Sequence, residues 1–197
     1  ARRSQPLPKA LTLDEVMALL DAPDTTTPAG RRDRAILEFL YATGARVSEA
    51  VGLDLEDVEL DSGTAIVTGK GDKQRLVPLG SYSIRAIEAY LPDRMTLRVP
   101  GRDSGALFLN ARGGRLTRQG LWGIVRKTAS RAGIPADRVS PHVLRHSAAT
   151  HMVERGADLR SVQQLLGHAT ITTTQVYTRV TPQHLLEVYV TSHPRSR

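Results

Sequence analysis

Residues 140–152 read SPHVLRHSAATHM. Ser140-Pro141 is a helix opening, because a serine hydroxyl caps free N–H groups and proline suits the first helical turn. Gly156 is the matching stop. Inside this helix His142 and Arg145 stand three residues apart and share a face. The uncapped N–H groups and positive end of the helix lie beside them, so the first turn is a candidate phosphate site. Taken alone, the pair reads slightly better as a His and an Arg on a solvated face.

The chain continues in helices on both sides of this stretch. Thr117 caps one that ends near Ala132-Gly133, and Asp158 caps another closed by Gly167. His168 begins the loop beyond Gly167, and Tyr177 lies nine residues later in a Thr-rich run, 172–177, expected to be a short helix. Thr181-Pro182 opens a last helix through Val190, whose Leu185, Leu186, Val188 and Val190 are expected to form an apolar face. Either His168 or Tyr177, in isolation, is an ordinary capping or half-buried residue.

Near the start, Thr12-Leu13-Asp14-Glu15 is a capping box before an apolar run to Leu20. A helix from Thr27-Pro28 carries Ile36, Leu37, Leu40 and Tyr41 at helical spacing and stops at Gly44; a short one follows Ser48. The pattern then changes. Residues 57–60, 64–68 and 75–79 are short β-branched runs separated by Asp61-Ser62-Gly63 and Gly69-Lys70-Gly71-Asp72, which predicts a three-stranded antiparallel sheet. Ser81 to Leu91 is expected to be helical, Pro92 to Gly105 irregular, and Ala106 to Asn110 a short apolar segment. The class is mainly α with a small three-stranded antiparallel sheet.

A chain of 197 residues, 40% hydrophobic and 24% charged, has enough material for one folded domain with a core. It holds no cysteine, which excludes disulfides and thiolate metal sites and suits a reducing, cytoplasmic setting. No apolar run is long enough to span a membrane. A net charge of +7 suits a polyanion, since neutralising phosphates releases condensed counterions. The opening Ala1-Arg2-Arg3-Ser4-Gln5-Pro6-Leu7-Pro8 is basic and proline-bearing, so residues 1–10 are expected to be a linker from an N-terminal DNA-binding domain, with the catalytic domain over 11–197.

Two further positions carry possible chemistry. Arg46 follows the Gly44 stop, and Glu49 is spaced to orient its guanidinium; the plain alternative is a surface arginine. Lys70 occupies the second turn of the sheet, with Lys73 as a competing choice, and either is also an ordinary solvated lysine. Together such groups suit phosphodiester chemistry. Two arginines grip the non-bridging oxygens, a tyrosine attacks phosphorus, and a lysine or histidine protonates the departing oxygen.

Arg46 in TGARVSEA, Lys70 in TGKGDKQR, His142 and Arg145 in SPHVLRHSAATHM, His168 in LLGHATITTTQVY and Tyr177 in QVYTRV resemble, in order and spacing, the motifs of the tyrosine recombinase (phage integrase-like) family. Within it they look most like the bacterial Xer site-specific recombinases, and YTRVTPQHLLEVYVTSHPR resembles the XerD branch more than XerC. The resemblance runs from about Leu11 to His193. It implies the fold of a DNA breaking-rejoining catalytic domain. It implies Arg46 and Arg145 as phosphate ligands, Tyr177 as a nucleophile giving a 3′-phosphotyrosyl intermediate, and Lys70 as general acid. His142 and His168 would assist, Glu49 would orient Arg46, and Lys70, Lys73 and Arg75 would contact DNA. No metal or other cofactor is implied. The implied partners are double-stranded DNA, an XerC-like recombinase in a heterotetrameric synapse and a septal DNA translocase. The implied task is chromosome dimer resolution at cell division, with 181–197 a C-terminal segment exchanged between neighbours, self-docked when the chain is alone. Other readings are a relative that relaxes supercoils, a DNA-binding regulator without chemistry, and a metal hydrolase built on His142, His146 and His168. The regulator has no need of Tyr177, and the hydrolase lacks nearby carboxylates.

Overall fold

The computed structural model describes residues 9–167 and 181–197. The expected helix over 172–177, His168, Tyr177 and most of the 1–10 segment therefore lie outside the described residues.

Helix α1 (Leu13–Asp21) begins with the expected capping box: the Thr12 hydroxyl accepts from Glu15 N–H, and the Glu15 carboxylate accepts from Thr12 N–H. Helix α2 (Pro28–Thr43) is the axis of the domain. Every residue from Ala35 to Thr43 is buried, which is what a helix enclosed on all sides requires. It ends at Gly44, whose φ of 62° is the left-handed cap geometry. Helix α3 (Val47–Val51) starts two residues earlier than expected, so Arg46 sits at the N-cap with extended backbone.

The sheet follows in simple order: β1 (Val58–Glu59), β2 (Thr64–Thr68) and β3 (Gln74–Pro78), all antiparallel. β1 is shorter than the expected 57–60 because Leu55–Asp57 closes as a 3-10 turn, with the Asp57 carboxylate accepting from Asp54 N–H. Ala65, Val67 and Val77 face the core, whereas Ile66 and Leu76 face outward.

One expectation is overturned in the next element. Helix α4 (Gly80–Leu97) runs straight through Pro92, where irregular chain was expected. Proline removes one ladder hydrogen bond there, but tertiary anchors on either side hold the helix. The buried Tyr90 hydroxyl donates to Leu107 C=O. Arg94, 1% exposed, donates to Ala106 C=O and pairs with both Asp103 oxygens.

Helices α5 (Arg118–Arg131), α6 (Pro141–Glu154) and α7 (Leu159–Leu166) begin at the caps read from the sequence, Thr117, Ser140 and Asp158. α4 and α6 flank α2, and α7 packs on α6. Helix α8 (Pro182–Ser192) lies against α6 and α7. Its buried side differs from the expected one. Tyr189 and Ser192 are buried with Leu185 and Val188 partly covered, while Leu186 and Val190 are exposed. Among the described residues, no helix is long and apolar enough to cross a membrane.

Candidate active site: an arginine cluster on two helix ends

The site forms where α2 and α7 end. Both stop at a left-handed glycine, Gly44 (φ 62°) and Gly167 (φ 69°). The two ends are packed together: a Cβ on Gly44 would overlap the Leu166 side chain. Each glycine offers a carbonyl that no helix bond consumes, and each carbonyl takes an arginine. Arg145 Nη1 donates to Gly44 C=O in a short contact, and Arg46 Nη2 donates to Gly167 C=O at 3.3 Å.

Arg145 is 8% exposed and its Nη2 has no hydrogen-bond partner among the described residues. Burial first, and then the like charges of Arg46 and Arg75, pull its pKa down to about 10, with Glu49 opposing. It therefore keeps its charge at neutral pH. A buried cation with an unsatisfied donor, crowded by further cations, has the charge and the free N–H to receive an anion.

Glu49 is the one carboxylate among these arginines to perturb Arg145. Its side chain is 0% exposed. One oxygen accepts from the Arg46 backbone N–H at 2.8 Å and lies 3.9 Å from Arg46 Nη1; the other is in short contact with Arg75 Nη1. Arg46 itself is 40% exposed along its side chain.

The other positions fall around this cluster. Lys70 lies in the 3-10 turn Lys70–Asp72 at the exposed tip of the β2–β3 hairpin, and Lys73 is exposed beside it. Neither pairs with an acid among the described residues. Arg75, grouped with them on the sequence, faces the other way. It stands opposite Val67 on the core side of the sheet. The signal was available, since Arg75 and the core residue Val77 are two apart on one strand. His142 and Arg145 start from one side of α6 but differ in depth: His142 is exposed, its ring 6.1 Å from Trp122, whereas Arg145 reaches inward to Gly44. The Trp122 ring also carries Arg126, 5.6 Å from its centroid. His146 is exposed. The carbonyls of Gly44 and Gly167 were not anticipated, because a sequence marks a helix stop without saying what meets it. Among the described residues, no group of three His, Asp or Glu side chains is arranged to hold a metal ion.

Residues 9–184 match the model of the phage integrase family. The chain belongs to that family. It has relatives of high identity among curated proteins. It is 55% identical over 97% of its length to the tyrosine recombinase XerD of Bifidobacterium longum, and 54% identical over 98% to that of Mycobacterium tuberculosis (strain H37Rv). It spans 64% of the length of each of these relatives. Among solved structures, XerA recombinase superposes with a TM-score of 0.75 at 35% identity, over 95% of this chain and 66% of that one. The XerH site-specific recombinase bound to difH substrate, a pre-cleavage complex, gives 0.72 at 32% identity over 83% and 48%. The integrase of mycobacterium phage Brujita gives 0.73 at 30% identity over 100% and 62%. The fold is thus that of phage integrase family catalytic domains, mainly helical with a small three-stranded sheet, as expected.

Proposed function

We propose that this chain is the catalytic domain of a site-specific tyrosine recombinase that cuts and rejoins double-stranded DNA. The observation that carries the reading is the arginine cluster: Arg46 and Arg145, held on two glycine carbonyls, with an unpaired buried donor between cations. Such preorganised donors stabilise the charge that develops on a phosphodiester in its transition state. The family supplies the remaining roles. Tyr177 attacks phosphorus; the bond to the 5′ oxygen breaks as the tyrosyl–phosphorus bond forms, leaving a 3′-phosphotyrosine. The departing 5′ oxygen takes a proton from Lys70, while His142 and His168 hold the phosphate or accept the tyrosine proton. Attack by a 5′ hydroxyl on the phosphotyrosine reverses the step and rejoins a strand. No metal takes part.

Lys70 and Lys73 on the hairpin tip contact DNA, a reading supported by their exposure and charge and by the difH substrate bound in the XerH complex. The identity to XerD proteins supports a cytoplasmic enzyme of chromosome dimer resolution, working with an XerC-like recombinase in a heterotetrameric synapse and with a septal DNA translocase. The segment 181–197 is read as the part exchanged between neighbours.

The test is a nicked suicide duplex. A covalent 3′-phosphotyrosyl adduct is expected with the wild-type chain and none with Tyr177→Phe, scored by gel shift under denaturing conditions. Equal yield from the two proteins rejects the assignment.

A further inference from the structure

The two arginines of the phosphate site leave a third unexplained. Arg75 is 19% exposed along its side chain, and its Nη1 is in short contact with the buried Glu49 carboxylate. Its guanidinium packs closely against the α7 cap: a Cβ on Gly167 would stand 2.8 Å from Arg75 Nε and 2.9 Å from Cζ. Glu49 holds the Arg46 backbone N–H with its other oxygen, and Arg46 donates to Gly167 C=O. Arg75, Glu49, Arg46 and Gly167 thus close a ring of contacts. The ring joins three elements: the strand leaving the Lys70 hairpin, the helix start that carries Arg46, and the residue before His168.

We propose that Arg75 is a positioning residue for strand cleavage, holding Glu49 and the end of α7 so that Arg46 stays free for the phosphate. The proposal rests on the reading of this site as a strand-cleaving one. A carboxylate with no exposure must be paired. The Arg46 guanidinium, 3.9 Å away and half in solvent, is the poorer partner; Arg75 is the close one. Without Arg75, the ion pair left to Glu49 among the described residues is Arg46, whose guanidinium would be drawn down onto the carboxylate and away from DNA. Cleavage depends on that single geometry, whereas affinity is spread over many phosphate contacts. The expected signature is therefore a loss of rate without a matching loss of binding. A lysine at 75 would still pair with Glu49 but would lack the guanidinium that packs against Gly167.

The measurement compares the wild-type chain with Arg75→Gln and Arg75→Lys. The single-turnover rate of adduct formation is read on the nicked duplex at saturating DNA, and affinity on the same duplex by anisotropy. Thermal melting checks the fold. Arg75→Gln should slow adduct formation by about 10- to 100-fold, the scale of a misplaced catalytic group, with affinity within about threefold, because Arg75 faces inward and only the Arg46 contact, one among many to phosphates, is disturbed. Arg75→Lys should fall between Gln and wild type. A Gln variant that cleaves at the wild-type rate, or one whose affinity falls as far as its rate, overturns the proposal. If Arg75→Gln does not fold, the Lys variant decides: slower cleavage at unchanged affinity supports the role, and wild-type cleavage overturns it. Absence of any adduct from the wild-type chain is a separate result; it removes the cleavage reading and this proposal with it.

Discussion

Arg145 shows how one side chain carries both a structural and a chemical duty. One guanidinium nitrogen is committed to Gly44 C=O and another is left buried without a partner among the described residues. Lysine at this position keeps a charge but loses the planar fork that serves both directions at once. Arg145→Lys is expected to reduce adduct formation about 100-fold or more, the effect of losing one preorganised donor in a desolvated site. Adduct formation within about tenfold of wild type would show that the fork is dispensable. That His142 and Arg145 start from one side of α6 was legible from their spacing. The depth of Arg145 was not, because depth is set by the Gly44 carbonyl, over a hundred residues away in the chain.

At the level of elements, the site depends on two helix ends locking together. Gly44 has a φ of 62° and its α-carbon lies against Leu166, so a methyl group there is opposed by both backbone and packing. Gly44→Ala is expected to destabilise the fold by about 1–3 kcal/mol. A domain of this size should then melt roughly 3–10 °C lower, as read by calorimetry. An unchanged melting temperature would mean that the α2–α7 junction contributes nothing to stability. Both glycine stops could be placed from the sequence, as could the caps at Thr12, Thr27, Thr117, Ser140 and Asp158. The continuation of α4 through Pro92 could not. Its support comes from Arg94 and Tyr90 meeting chain that returns only at Ala106 and Leu107.

Across the whole molecule, the C-terminal segment closes onto the body of the domain through polar groups as much as apolar ones. His193 is 3% exposed, stacked on Tyr189 at 4.8 Å, and its Nε2 donates to Tyr41 C=O while its Nδ1 accepts from Arg195 N–H. Tyr41 in turn donates to His151 Nδ1, and His151 Nε2–H donates to Leu11 C=O, so the tail and the chain leading into the first helix meet through one buried network. Arg195 lies over the Tyr82 ring at 3.7 Å and reaches the buried Glu38 at 3.3 Å. Burial is the largest cause that pushes the His193 pKa down to about 4, from 6.5, with the backbone hydrogen bond to Tyr41 opposing it. The neutral ring is therefore the docked form. The unfolded chain binds a proton more readily than the folded one between about pH 6.5 and pH 4, so this contribution is complete above about pH 6.5 and is lost as pH falls toward about 4. It amounts to at most about 3 kcal/mol. Burial moves the Glu38 carboxyl up, against the pull of Arg195, and its contribution has the opposite sign. The comparison with His193→Gln isolates the histidine: the fall in melting temperature between pH 7 and pH 4.5 should be smaller in the variant. Parallel pH profiles for the two proteins would refute the neutral, docked histidine.

The resemblance to a family singled out Arg46, Lys70, His142 and Arg145; local chemistry along the chain was sufficient for most element types, the capped starts, the glycine stops and the three-stranded sheet. Each of these depends on neighbours within a few residues, where spacing and side-chain type decide the outcome. Tertiary contact decided the rest. It turned Arg75 inward to Glu49, gave the two glycine carbonyls to Arg46 and Arg145, and put Tyr189 and His193 rather than Leu186 and Val190 against the core. These choices follow from what a buried charge or carbonyl must find as a partner, and such partners lie far away in sequence. The residues of the proposed phosphate site can be listed in one dimension, but the pairing and depth of its arginines exist only in three.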